Sequence, residues 1–88
     1  MRSIDELRAG IDLLDKEILD LLKKRKILVK DIGKYKSANN LKIIDRNRER
    51  QVLSNISNNA KGLDPKFVEK LYTSILKNSR AEQKKHSR

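Results

Sequence analysis

An apolar repeat in the first third of the chain constrains the fold more than any other feature. Between residues 3 and 36, apolar side chains recur at alternating three- and four-residue steps, and no proline interrupts them. The repeat consists of Ile4, Leu7, Ile11, Leu14, Ile18, Leu21, Leu28, Ile32 and Tyr35. This is the spacing of the a and d positions of a coiled coil. It predicts one long amphipathic helix with an apolar seam.

The predicted helix is too long for the rest of the chain to cover. At about 1.5 Å per residue it extends for roughly 50 Å, more than the diameter of a compact domain of this size. The whole chain has 88 residues, enough for a single domain with a small core. We therefore expect a second copy of the chain to cover the remainder of the seam.

One seam position carries a charged residue, Arg25. An unpaired buried guanidinium is strongly destabilising, so Arg25 must be paired or must bind a ligand. Lys36 follows eleven residues later, about three helical turns, and points the same way to within about 20°. Two interpretations stay open. Either the two cations face one cavity, where a guanidinium suits a carboxylate, or Arg25 reaches water beside a surface lysine.

Two further helices are predicted, which makes the chain all-α. The first helix covers about 4–36, the second about 45–60 and the third about 64–83, with Ser3, Asp45 and Asp64 as their N-caps. Tyr35, Phe67 and Tyr72 are expected in the core by their spacing. The basic tail, 84–88, is expected to fray, with its histidine unordered at the surface.

Polar residues extend the apolar faces of the second and third helices. Asp45, Arg48 and Glu49 share one face, which suggests a lined pocket or, alternatively, an ordinary capped and ion-paired first turn. Ser79 and Gln83, four residues apart, place hydrogen-bonding groups on the stripe of the third helix. The alternative there is a stripe that simply ends in polar residues.

The charge balance restricts the partners without choosing among them. The 22 Lys and Arg against 12 Asp and Glu give a net charge of +10, which suits nucleic acid, an anionic surface or a small polyanion. Aromatic residues make up only 3% and no recognition-helix signature occurs, which disfavours nucleic-acid binding. With no cysteine, membrane-length apolar run or signal-peptide pattern, we expect a cytoplasmic protein without membrane contact. We also expect no metal and no cofactor, because no ligand cluster or phosphate loop is present.

Taken together, these residues resemble the all-helical class of chorismate mutases from Ile4 to Gln83. The resemblance rests on five motifs in the right order and spacing. They are Leu7-Arg8-x-x-Ile11-Asp12-x-x-Asp15, Leu21-Leu22-x-x-Arg25, Ile32-Gly33-x-x-Lys36, Asp45-x-x-Arg48-Glu49 and Ser79-x-x-x-Gln83.

The resemblance implies an intertwined homodimer of three-helix protomers with antiparallel first helices and two sites. It implies a Claisen rearrangement of chorismate to prephenate, in phenylalanine and tyrosine biosynthesis, without covalent catalysis. Arg25 and the partner's Arg8 would grip the two carboxylates, while Lys36 and Gln83 would donate to the ether oxygen. The remaining pocket residues would be Asp45, Arg48, Glu49, which orients the ring hydroxyl, and Ser79.

Other functions remain open alongside this one. Lyases that eliminate pyruvate from isochorismate share the scaffold, but the complete set of pocket residues on the second and third helices favours the mutase. A basic nucleic-acid-binding module is supported by the net charge and by the lysine-rich segments Lys23-Lys24-Arg25-Lys26 and Lys84-Lys85. A pure dimerisation coiled coil is disfavoured by Arg25 in the seam.

Overall fold

A computed structural model describes residues 1–86 and contains three helices: α1 (Ile4–Ala38), α2 (Arg46–Asn59) and α3 (Pro65–Lys85). No strand occurs among these residues, and the predicted all-α class with a long first helix is confirmed. The last two residues of the predicted basic tail, 87 and 88, lie outside the described part. None of the described helices combines the length and the apolarity needed to span a lipid bilayer.

Each helix starts at the N-cap that the sequence predicts. The Ser3 side chain accepts a hydrogen bond from the backbone N–H of Glu6 at 3.1 Å. Asp45 Oδ1 accepts from the backbone of Arg48 at 3.0 Å, and Asp64 caps α3 in the same way ahead of the proline at its first position. Each cap satisfies a backbone donor that has no partner inside the helix, which fixes where the helix begins.

The ends of α1 and α3 extend two residues beyond the predicted ones. Lys85, expected in a fraying tail, is the last residue of α3, and His86 is its C-cap. His86 is not an unordered surface residue: its Nε2 lies 3.1 Å from Oε1 of Glu82, one helical turn earlier. This i,i+4 contact and the bonds of the His86 N–H to the preceding carbonyls extend the ordered helix.

Helix α3 lies between the other two helices and packs against both, whereas α1 and α2 do not touch within residues 1–86. Arg25 meets Ser79, and Gly33 meets Gln83, so α1 and α3 run in the same direction. The chain therefore goes up, down and up, with the C-terminal parts of α1 and α3 beside the N-terminal part of α2. That end of the bundle collects the polar residues singled out in the sequence, except Arg8, which lies near the start of α1.

The hydrophobic core of one chain is small. Only Val29, Val68 and Leu76 are buried apolar side chains among the described residues, and the molecule measures 57 by 23 by 15 Å. Two aromatic residues predicted in the core, Tyr35 and Phe67, are instead more than half exposed. The spacing identified the apolar faces correctly, but a single chain does not supply enough surface to cover them.

Candidate active site

The backbones of α1 and α3 meet closely at Gly33. A Cβ atom built there would lie 2.9 Å from both Cα and the carbonyl oxygen of Gln83, closer than real Cβ atoms approach such groups. Gly33 and Gln83 are both buried. The absence of a side chain at Gly33 is therefore what allows the two helices to bring their polar residues together.

Lys36 joins three segments of the chain at this end of the bundle. Its Nζ donates to Oε1 of Gln83 at 2.9 Å and to the backbone carbonyl of Ile43 at 2.7 Å. Ile43 belongs to the connection between α1 and α2, so Lys36 also holds that connection in place. An ammonium has three N–H donors, and these two acceptors leave the third for a ligand.

Arg25 is turned towards α3. Its Nη1 donates to the hydroxyl of Ser79, and that hydroxyl donates to the backbone carbonyl of Ile75 at 2.8 Å. Arg25 is half-buried and Ser79 is buried. The guanidinium is therefore paired with a neutral acceptor, which leaves its charge available to an anionic ligand.

In one chain, Arg25 and Lys36 line two different open grooves. Arg25 lines a groove of about 440 Å³ between α1 and α3, together with Val29 and Ile75. Lys36 lines a larger groove of about 980 Å³, with Ile43 on its wall. One of the two sequence-based interpretations placed both cations in a single cavity, and a lone protomer does not enclose one. Both cations nevertheless touch residues one turn apart on α3, Ser79 and Gln83.

Helix α2 contributes one of its three predicted pocket residues to the contact with α3. Both carboxylate oxygens of Glu49 lie 2.7 Å from Nη1 of Arg80, and the two side chains are only 25% and 32% exposed. Asp45 is occupied as the N-cap, and the exposed Arg48 donates to Gln51 at 2.6 Å. Of the three, therefore, Glu49 is the residue that bonds to the neighbouring helix.

The sequence-based prediction missed Arg80 and Glu82, which lie between Ser79 and Gln83 on α3. Arg80 follows Ser79 directly and lies three residues before Gln83, a spacing that places it on the same face. Glu82 is buried and lines the groove of Arg25. The i,i+4 spacing of Glu82 and His86 is the sequence signal that could have revealed their contact.

The environment of Glu82 favours its charged form. The hydrogen bond from His86 holds the pKa of this carboxyl below its ordinary value, and the positive charges of Lys26 and Lys85 act in the same direction. Partial burial raises the pKa, but its effect is smaller than that of the His86 hydrogen bond. Glu82 is thus an anion beside the groove that contains Arg25.

Arg8 lies apart from all of these residues. It is exposed on α1, 17 residues before Arg25, which corresponds to about 25 Å along the helix axis. One chain does not bring Arg8 to the other predicted site residues. Within residues 1–86, no group of three or more His, Asp or Glu side chains is arranged to hold a metal ion.

The sequence profile of the family described as chorismate mutase type II matches residues 7–84, nearly the whole chain. The chain belongs to this family. The matched range contains every polar residue that meets at the α1–α3 interface, from Arg25 to Gln83. The resemblance inferred from the five motifs is therefore confirmed.

Individual relatives agree with the family assignment. A bifunctional chorismate mutase/prephenate dehydratase of Buchnera aphidicola subsp. Baizongia pistaciae is 38% identical over 80 residues, 89% of this chain and 22% of that protein. A protein of the same description from Aquifex aeolicus is 46% identical over 56 residues, 64% of this chain and 16% of that protein. A 4-amino-4-deoxychorismate mutase of Streptomyces pristinaespiralis is 33% identical over 75 residues, 83% of this chain and 58% of that protein. The chain thus spans about a fifth of the length of these bifunctional relatives.

Proposed function

We propose that this chain catalyses the Claisen rearrangement of chorismate to prephenate in phenylalanine and tyrosine biosynthesis. The observation that carries the proposal is the pairing of Lys36 with Gln83 at 2.9 Å, one turn along α3 from the contact of Arg25 with Ser79. These four residues lie within the range that matches a family named for this activity. We keep the cytoplasmic location expected from the sequence as part of the proposal.

The proposed mechanism uses positioning and electrostatics alone. Two cations 11 residues apart on α1 would hold the carboxylates and the ether oxygen of a dianion, and so fix the flexible arm in its reactive conformation. As the C–O bond breaks, negative charge develops on the ether oxygen, where Lys36 and Gln83 would donate. The rearrangement is unimolecular and requires no nucleophile or cofactor.

The hydrogen bond between Lys36 and Gln83 supports these donor roles. Gln83 accepts from Lys36 through Oε1, which leaves its NH₂ group as the donor towards a ligand. Lys36 has one N–H beyond its bonds to Gln83 and Ile43. Because an amide does not titrate, Gln83 donates at any pH, and we expect little loss of rate towards neutrality.

We also propose that the active protein is a homodimer in which the two first helices run antiparallel. The support is the exposed seam of α1: Ile11, Leu14, Ile18 and Leu21 are each more than half exposed in one chain. Covering such a contiguous apolar stripe is strongly favourable. In that arrangement Arg8 of one copy would approach Arg25 of the other, and the two arginines would bind the two carboxylates of the substrate.

The relative from Streptomyces pristinaespiralis supports a second candidate substrate. It is named as a mutase of 4-amino-4-deoxychorismate, and it is 33% identical over 83% of this chain. The two substrates differ only in the ring substituent, a hydroxyl or an amino group. Glu49 and Arg80 are the groups that bear on this choice.

An assay of the purified protein tests the proposal. We expect the ultraviolet absorbance of chorismate to fall, with prephenate as the product. Faster release of pyruvate from isochorismate would replace the mutase by the lyase. Turnover of neither substrate together with salt-sensitive binding to DNA or RNA would favour the nucleic-acid module instead.

Complementation between two inactive variants tests the shared site. Arg8→Ala and Arg25→Ala should each abolish most activity as homodimers. Co-expression produces mixed dimers in which one site has both arginines, so about a quarter of wild-type activity should return after random pairing. If both arginines acted within the same chain, mixing would restore nothing.

A further inference from the structure

The ion pair between Glu49 and Arg80 is a feature that the proposed mechanism does not use. One guanidinium nitrogen lies 2.7 Å from both carboxylate oxygens, and each side chain is about one-third exposed or less. The pair links the first turn of α2 to the C-terminal half of α3. Arg80 also lines the groove that contains Lys36, so the pair lies beside the proposed site.

An isolated carboxylate is a poor neighbour for a dianionic substrate. Glu49 would repel it, and would attract any cationic group on a ligand. Arg80 removes both effects because it neutralises the carboxylate and restrains both of its oxygens. Each oxygen keeps a lone pair beyond the one that Arg80 occupies, so Glu49 still accepts a hydrogen bond from a neutral donor.

We infer that Arg80 is a positioning residue that makes the site select a neutral ring hydroxyl over a ring ammonium. This inference rests on the proposed function, in which Glu49 accepts from the ring hydroxyl of chorismate. The amino group of 4-amino-4-deoxychorismate is a primary amine, and such amines are mostly protonated at neutral pH. A neutralised Glu49 offers this cation no net attraction, whereas the ring hydroxyl of chorismate needs only a hydrogen-bond acceptor.

The test compares kcat/KM of the full chain for chorismate and for 4-amino-4-deoxychorismate. The wild type should prefer chorismate. Both substrates carry the two carboxylates, so their repulsion by the freed Glu49 in Arg80→Met cancels in the comparison. The freed carboxylate also attracts the ammonium, so the ratio of kcat/KM for chorismate to kcat/KM for 4-amino-4-deoxychorismate should fall by roughly tenfold or more. Arg80→Lys, which keeps the charge, should retain most of the preference.

Two matched variants separate this role from a general loss of charge or of structure. Lys77→Met removes one positive charge from the wall of the same groove without touching the ion pair, and should leave the ratio unchanged. In a Glu49→Gln background, Arg80→Met should change the ratio much less, because Arg80 acts through Glu49. Circular dichroism checks the helix content, and Arg80→Gln replaces Arg80→Met if the latter does not fold.

The outcomes distinguish the inference from the function on which it rests. An unchanged ratio in folded Arg80→Met or Arg80→Gln overturns the inference while chorismate turnover by the wild type stands. An undiminished shift in the Glu49→Gln background also overturns it, because Arg80 would then act on the substrate independently. If the wild type turns over neither substrate, the proposed function fails and the inference fails with it.

Discussion

The two halves of α1 carry the same apolar repeat but have different surroundings. In the C-terminal half, α3 covers the side of the helix next to the seam, buries Val29 and Gly33, and turns Arg25 and Lys36 towards its own polar residues. The repeat residues Leu28 and Tyr35 of this half remain exposed. In the N-terminal half, the seam residues Ile11, Leu14 and Ile18 remain more than half exposed. Periodicity therefore shows which face of a helix is apolar, whereas only the tertiary structure shows what covers it.

The largest expected effect concerns the covered half, at Lys36. Replacing it with methionine removes the donor proposed at the ether oxygen and should lower kcat by about 10²–10³-fold, the usual cost of one such donor. Lys34→Met is the matched control, because Lys34 is an exposed lysine on the same helix. Steady-state kinetics on chorismate checks the prediction, and equal losses in both variants would contradict the proposed role of Lys36.

A charge in the exposed half tests whether a partner covers the seam. Ile18→Glu should convert the dimer to a monomer or unfold it, because burying an unpaired carboxylate costs several kcal/mol. Leu13 is off the seam and is even more exposed in one chain, 66% against 54% for Ile18. Leu13→Glu should therefore leave the dimer intact. Sedimentation equilibrium measures the assembly, and two variants that behave alike would mean that the seam is uncovered.

The two glycines of α1 provide a smaller test of the same contrast. In Gly33→Ala the new Cβ would meet the Gln83 backbone at 2.9 Å, so α3 must move. We expect a loss of about 1–3 kcal/mol in the free energy of unfolding, despite the better helix propensity of alanine.

At Gly10 nothing lies within 4 Å of the added atom in one chain. Gly10→Ala should therefore stabilise the protein by up to about 1 kcal/mol. Urea unfolding measures both variants. Destabilisation by Gly10→Ala would show that a neighbouring backbone approaches the exposed half as closely as α3 approaches Gly33.

The smallest expected effect is on the pH dependence of stability, through Glu82 in the covered half. Its pKa is lowered in the folded state, mainly by the hydrogen bond from His86, so its ionisation stabilises the fold above the pKa of the unfolded chain. That contribution should disappear as the pH falls through the lowered folded pKa. Glu82→Gln should thus reduce stability at about pH 7 and have little effect at about pH 3.

The exposed Glu69 on α3 is the matched control for Glu82. Glu69→Gln should leave the difference in urea midpoint between neutral and acid pH close to that of the wild type. The assignment to Glu82 would be wrong if Glu82→Gln and Glu69→Gln changed this difference equally.

The sequence by itself determined the three helices and their capped starts, and it predicted most of the polar residues of the candidate site. The N-caps could be predicted because an N-cap is a local interaction within one turn. They are Ser3, Asp45 and Asp64. Arg25 could be identified as a candidate binding residue because its charge interrupts a long apolar repeat. Helix spacing also placed Ser79 and Gln83 on one face, since that face depends only on the 3.6-residue period.

The tertiary structure decided which of these residues meet. No local rule predicts that Gly33 lies against Gln83, that Lys36 holds the carbonyl of Ile43, or that Glu49 pairs with Arg80. Those contacts join positions far apart in the chain and depend on how α3 lies between α1 and α2. The exposure of Tyr35 and Phe67 could not be predicted from the sequence either. Whether a side chain on an apolar face is buried depends on how much surface the neighbouring helices supply to cover that face.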